Sequence, residues 1–222
     1  MVYDFHTHSF LSDGVLSPVE LVRMAVVSGY RAIGVTDHVG PGNCVQVLEQ
    51  VIKECEFCAR YWDIVAIPGV EITHVPAKGI AEVARLARKH GAKIVVVHGE
   101  SIAEPVEPGT NLAAVSCPDV DILAHPGILT KEEAELAVAN DVFIEISARK
   151  GHCLTNGHVA RVGRELGVKF LVDSDSHEPK DFLNAAFARK VAQGAGFNAD
   201  EIEQVLAENP GLLLAKLGYR SV

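Results

Sequence analysis

Seven short runs of mostly apolar, often β-branched residues recur along the chain, at residues 2–5, 32–36, 64–70, 94–97, 121–124, 142–146 and 169–172, with helical stretches between them. Apolar runs that alternate with helices are the pattern of a parallel sheet, because parallel neighbours need a long crossover where antiparallel ones need only a tight turn. The helix starts are marked. Ser17-Pro18-Val19-Glu20 and Thr130-Lys131-Glu132-Glu133 each place a hydroxyl at the N-cap and a Glu three residues on. Asn43 is the expected cap of a helix running to about residue 61. Gly91 and Gly167 end two more, the second beginning at Thr155, while Asn198 opens another and Pro210 begins the last. No linker, charge block or low-complexity stretch interrupts this alternation, so residues 1–222 read as one domain. Seven βα units can close into a barrel or stay an open doubly wound sheet.

With 48% apolar and 22% charged residues, 222 residues bury a sizeable core, which excludes disorder and fibrous repeats. No apolar run reaches the length of a membrane span, and the opening MVYDFHTH has neither the basic start nor the apolar stretch of a secretory signal. The expected location is the cytoplasm, with no membrane partner. A net charge of −9 weighs against stable binding of nucleic acid and favours a small substrate. The five cysteines are odd in number and lack framework spacing, so they are expected as reduced thiols, with Cys55 and Cys58 inside a helix.

The chemistry lies where the strands end. In a parallel barrel the working residues sit at the C-terminal ends of strands, and this chain puts His or a carboxylate there repeatedly. His6 and His8 follow the first run, Asp37 and His38 the second, and Glu71 the third. His98 and His125 follow the fourth and fifth, Glu145 lies in the sixth, and Asp175 and His177 follow the seventh. His-x-His in an extended segment puts both imidazoles on one side, within reach of one metal, and Asp175-x-His177 repeats the spacing. His74, His90, His152 and His158 fall outside this pattern and are not assigned to a metal.

His6-Thr7-His8 followed by Ser12-Asp13-Gly14, then Thr36-Asp37-His38, Gly69-Val70-Glu71, His98, His125-Pro126 and Asp173-Ser174-Asp175-Ser176-His177 resemble the full motif set of the polymerase and histidinol phosphatase (PHP) family. The resemblance implies a distorted seven-stranded (β/α)7 TIM-like barrel that hydrolyses phosphate esters with two to three divalent zinc, manganese or iron ions. Carried over position by position, it implies that His6, His8, Glu71 and Asp175 hold a first metal. Glu71 then bridges to a second held by His98 and His125, and Asp13, His38 and His177 hold a third. Six imidazoles and three carboxylates suit zinc, manganese or ferrous iron rather than calcium or copper(I). The nucleophile is then a hydroxide made available by the metals, and the leaving group takes its proton from bound water or from His177 or Asp175 in the ligand shell. Asp37 is read either as the partner of a neighbouring imidazole N–H or as a loop cap.

Arg149-Lys150-Gly151 follows the sixth run, on the face where a substrate phosphate needs fixed cations, and Arg149 with its planar fork is the better phosphate clamp. The expected activity is hydrolysis of a small metabolite's phosphate ester, of which histidinol phosphate is one candidate. The alternatives are a nucleotide or oligonucleotide phosphoesterase, and a non-catalytic subunit of an RNA-processing complex, which would show a basic surface and eroded ligands.

Overall fold

The computed structural model describes residues 1–219. Seven principal strands, all parallel, follow one another around the sheet in the order β1 (Val2–Asp4), β2 (Tyr30–Val35), β4 (Val65–Ile72), β5 (Ile94–His98), β6 (Ile122–Ala124), β7 (Phe143–Ser147) and β8 (Phe170–Asp173). A two-residue strand, β3 (His38–Val39), pairs only with the end of β4. The expected barrel is thus formed, nearly closed, and the open-sheet alternative is not.

The gap lies between β1 and β8, and it is bridged by side chains. The Phe5 N–H donates to Asp173 Oδ1 at 2.6 Å and the Ser174 N–H donates to Asp4 Oδ1 at 3.0 Å. Beyond them a single bridge joins Thr7 to Ser176, with His8 N donating to Ser176 O at 2.8 Å. Both carboxylates are buried, and burial disfavours their charged forms, raising Asp4 to about 7 and Asp173 well above the usual range. The seam therefore substitutes carboxylate acceptors for the carbonyls that a regular ladder would supply.

Period-two alternation divides the core. Phe5, Ala32, Ile67, Ile94, Val96, Ile122, Phe143 and Leu171 fill the barrel interior, while their neighbours along the strands, such as Ile33, Val70, Val95, Leu123, Ile144 and Val172, pack under the helices. Leu213 and Leu214 of the last helix join the interior cluster and close the end where the strands begin. The opposite end is left open for polar residues.

The surrounding helices are α1 (Pro18–Val27), α2 (Cys44–Tyr61), α3 (Ile80–Lys89), α4 (Thr110–Val115), α5 (Lys131–Ala139), α6 (Asn156–Arg164), α7 (Ala185–Gly194), α8 (Ala199–Glu203) and α9 (Asn209–Lys216). The capping boxes at Ser17, Thr130 and Asn198 are formed. Asn43 and Thr155 stand at N-caps without capping by their side chains. Asn43 Oδ1 instead accepts from Gly40 N at 2.8 Å, tightening the turn after β3. Pro210 stands in the first turn of α9, as expected for the start of the last helix. A π turn, Gln204–Glu208, connects α8 to α9, and its wider spacing accommodates a residue without an N–H. Two helices fall outside the sequence reading: α4, which no side chain caps, and α7, whose buried stripe is only Ala188 and Ala192. All five cysteines are free thiols and four are buried. Among the described residues no helix is long and apolar enough to cross a membrane.

Candidate metal centre

His6 and His8 leave β1 at the open end, where β2, β4, β5, β6 and β8 also deliver their terminal residues. Gly14 lets the following loop fold back onto this segment, since a Cβ there would lie 2.3 Å from the His8 carbonyl oxygen. Asp37 sits beneath that loop. Its carboxylate accepts from Ser9 N at 2.8 Å, Ser9 Oγ at 2.7 Å and Ser12 Oγ at 2.7 Å. Of the two readings of Asp37 the loop cap is the one formed: its carboxylate holds the loop that carries Asp13.

Glu71 and Asp175 stand at the centre. His6 Nε2 is 3.3 Å from Glu71 Oε1 and 3.8 Å from Asp175 Oδ1, and His8 Nε2 is 3.2 Å from the same Asp175 oxygen. Metal–ligand bonds of about 2.0 to 2.2 Å in tetrahedral array separate neighbouring ligand atoms by about 3.3 to 3.6 Å, so these spacings are those of ligands around one ion. On the far side of Glu71, His98 Nδ1 and His125 Nε2 lie 3.3 and 3.6 Å from Oε1. Toward the mouth, His38 Nε2 and His177 Nε2 are 3.4 and 3.1 Å from Asp13 Oδ1, and His8, Asp13, His38 and His177 offer ligand atoms within 4.8 Å of one another. All nine residues expected as ligands are therefore brought together. His125 and Asp175 adopt φ of 24° and 51°, a backbone region that costs a non-glycine residue of order 1–3 kcal/mol and that collects at functional sites.

Several buried polar atoms of the cluster lack ordinary partners. His6 Nε2, both nitrogens of His8, His98 and His125, and Glu71 Oε1 are buried without a hydrogen-bond partner. Leaving so many polar atoms unpaired would cost 1–3 kcal/mol each, whereas divalent ions at the points on which they converge satisfy them together. The donor set fits zinc, manganese or ferrous iron. Burial opposes charge on Glu71 and Asp175, yet the surrounding imidazoles hold both below the usual carboxylate range; burial lowers His8 to about 3 and leaves one lone pair free, while against the same burial the nearby carboxylates raise His6, His38 and His125.

The supporting shell contains residues that the strand-end pattern did not assign. Glu145 Oε2, buried in β7, lies 2.6 Å from His6 Nδ1, which fixes the Nδ1–H tautomer and turns the Nε2 lone pair inward. Its position in a strand of the barrel was legible; that it faces His6 was not. Thr73 Oγ1 lies 2.7 Å from His38 Nδ1. His152, outside the expected ligand set, is buried with Nε2 3.8 Å from Asp175 Oδ2 and its ring stacked on His125 at 4.1 Å. Glu145→Gln should weaken metal binding by about 10- to 100-fold with the fold intact, read as the free-zinc concentration that half-loads the protein; an unchanged loading curve would show that Glu145 does not tune His6.

A cavity of about 390 Å³ opens over the cluster, bounded by Asp13, His38, Asn43, His74, Glu104 and Arg149 among others. Arg149 is its only Lys or Arg among the described residues, and one of its terminal amino groups donates to the Asp175 carbonyl at 2.9 Å. Lys150 does not share that position. It is exposed and lines a neighbouring depression that Arg149 and His177 also border, rather than the cavity over the cluster itself.

The fold and the clustered ligands define a metal-centred barrel hydrolase architecture. The family model of the PHP domain matches residues 4–209, and the chain belongs to this family. It is 48% identical over 218 residues to an uncharacterized protein of Methanocaldococcus jannaschii, covering 98% of this chain and 100% of the relative. It is 29% identical to a "Probable phosphatase" of a Thermoanaerobacter species, covering 90% and 89% of the two chains. Its fold is similar to a solved structure of the metal-dependent tyrosine phosphatases YwqE of Bacillus subtilis and CpsB of Streptococcus pneumoniae, with a TM-score of 0.60 at 19% identity over 96% of this chain and 94% of that one.

Proposed function

We propose that the chain, working as one domain over residues 1–222, hydrolyses the phosphate monoester of a small metabolite with two to three divalent ions at the barrel mouth. The observation that carries this reading is the convergence of unpaired buried nitrogens and oxygens beneath a cavity whose one fixed cation is Arg149. A family relationship to proteins named phosphatases supports it. In this assignment His6, His8, Glu71 and Asp175 would hold one ion, Glu71, His98 and His125 a second, and Asp13, His38 and His177 a third. Bound there, such ions would supply a water of lowered pKa, near about 7, and charge neutralisation at the phosphoryl oxygens, the chemistry needed for in-line attack on phosphorus. Glu71 and Asp175 stay ionised to keep the ions in place, and Glu145 holds His6 in register. Arg149, which lines the cavity, binds the phosphate. Asp175 and His177 border the position of the leaving oxygen, from where a proton could be handed to the leaving group. The cavity volume lies at the small end of ligand sites, near 300 Å³, in keeping with a metabolite rather than a polymer.

The test is a screen over sugar phosphates, amino-alcohol phosphates and nucleotides, with zinc, manganese and iron in turn. Turnover of a monoester only with added metal is expected; no turnover of any phosphate ester by fully loaded protein would overturn the reading. On the best substrate, Arg149→Ala should lower kcat/KM by roughly 10- to 150-fold, the value of a charge-assisted bond of about 1.5 to 3 kcal/mol, and Lys should restore part of it. Near wild-type kcat/KM in Arg149→Ala would assign Arg149 to holding the Asp175 loop alone.

A further inference from the structure

Two imidazoles that line the cavity stand outside the nine-residue set: His74, which is about half exposed, and His152, which is 5% exposed. The burial of His152 is arranged by the backbone. Gly151 before it takes a φ of 95°, and a Cβ there would lie 3.3 Å from Ala103 Cβ, so the loop after β7 turns back against the loop after β5. Across that contact His152 Nδ1 lies 2.5 Å from Ser101 Oγ. Ser101 is itself held in place, because its neighbour Glu100 accepts from Gly109 N at 2.9 Å and Asn111 N at 3.0 Å and clips the loop shut. The His152 ring stacks on His125, with centroids 4.1 Å apart and planes 16° from parallel, and its Nε2 is turned toward the cluster.

Two observations place the proton of this ring. Ser101 Oγ already accepts from Ala103 N at 3.2 Å, and among the described residues its own hydrogen has no acceptor other than His152 Nδ1. A buried hydroxyl left without an acceptor is costly, so the hydroxyl donates and Nδ1 accepts. On the other side of the ring, Nε2 faces two carboxylates, with Glu104 Oε1 at 3.5 Å and Asp175 Oδ2 at 3.8 Å. A lone pair aimed at them is repelled and an N–H is attracted, which sets the same tautomer, with the proton on Nε2. Both oxygens lie beyond hydrogen-bond distance, so this N–H is unspent in a buried side chain at the edge of the cluster.

We propose that the Nε2–H of His152 is a second fixed donor to the substrate phosphate, beside Arg149, and that it meets a phosphoryl oxygen and not an ion. The inference rests on the function proposed above and adds one residue to it. Arg149 and His152 come from one loop, three residues apart, and both line the cavity. Arg149 brings charge, and His152 brings a neutral donor whose direction is set by Ser101 on one side and the His125 ring on the other. His125, His152 and Asp175 do offer ligand atoms within 4.8 Å of one another. An imidazole with its proton on Nε2 and its Nδ1 engaged by a hydroxyl has no lone pair to give an ion, however, so His152 stays outside the ligand set.

The test is the binding of inorganic phosphate to the zinc-loaded chain by isothermal titration calorimetry, beside kcat/KM on the best monoester and zinc content by elemental analysis, for the wild type, His152→Asn and His152→Gln. The Asn amide reaches the position of Nδ1, so it keeps the Ser101 contact and loses the N–H in the cavity. The Gln amide reaches the position of Nε2 and keeps an N–H there. Phosphate affinity and kcat/KM should both fall by about 10- to 100-fold in His152→Asn, the effect of losing one hydrogen bond to a charged group, and most of both should return in His152→Gln, with zinc content unchanged in each. The opposite order, with Gln impaired and Asn near wild type, would make His152 a clip on Ser101 alone and overturn the inference. Equal effects in the two variants would overturn it as well, as would the loss of a zinc equivalent in either, which would make His152 a ligand. A wild-type chain that, loaded with zinc, neither binds phosphate nor turns over any monoester would instead overturn the function proposed above.

Discussion

Glu71→Ala should abolish phosphatase turnover, by about 10³-fold or more, and release two ions of the cluster together. Glu71 is buried, approaches His6, His98 and His125 through Oε1, and approaches His38 through Oε2 at 2.5 Å. Two dications about 3.5 to 4 Å apart repel strongly unless an anion is shared between them. Removing that anion raises the cost of both positions, and loss of the several kcal/mol of charge stabilisation supplied by a metal pair corresponds to roughly three decades in rate. Asp13→Ala is the contrast. Its side chain is 58% exposed and meets only His38 and His177, so it should cost one ion at the mouth. The imidazoles beside Asp13 hold its carboxyl down to about 2 against the opposing effect of burial, so that ion's carboxylate ligand is ionised across the working pH range. Elemental analysis of the two purified variants beside their steady-state rates checks both statements. Equal metal loss in the two would show that Glu71 is not the shared ligand.

Stripping the metals should lower the melting temperature by about 10–20 °C, reversibly on adding zinc or manganese. An ion at 100 times its dissociation constant stabilises the folded state by about 2.7 kcal/mol, and each kcal/mol is worth roughly 2–4 °C in a chain of this size, so two ions account for the shift. The effect is large because the site is costly when empty: the imidazoles and carboxylates at the barrel mouth lose the partners that the ions supply. It should also shrink as the pH falls. Burial opposes a charge on His6 and His125, but the carboxylates around them raise both above the usual imidazole range, so protons compete with metal for these nitrogens increasingly toward acid pH. Differential scanning calorimetry with and without chelator at pH 8 and pH 5.5 reads both effects; coincident curves at pH 8 would remove the ions from the folding energetics.

The alternation of apolar runs with capped helices determined the α/β class and the seven principal strands, because period-two burial and capping boxes are local and need no knowledge of the partner. The same locality made eight of the nine candidate ligands visible, since a His or carboxylate at the end of a strand is legible wherever that strand can be read and a barrel gathers strand ends at one mouth, whereas Asp13, in a loop, was named only through the family resemblance. Only the tertiary structure decided the rest. It showed that Asp4 and Asp173 complete the seam between β1 and β8, and that Asp37 secures the Ser9–Ser12 turn instead of an imidazole. It placed Arg149 in the cavity over the cluster and also in the neighbouring depression, where Lys150 lies, while Lys150 lines only the second. It also brought His74, Glu104 and His152, from three different loops, to within reach of the cluster. Loop residues have no fixed period, and where their side chains point is set by turns such as the positive-φ conformation of His74 and by clips such as Glu100 on Asn111, which act between segments far apart in the chain and leave no spacing in it to read.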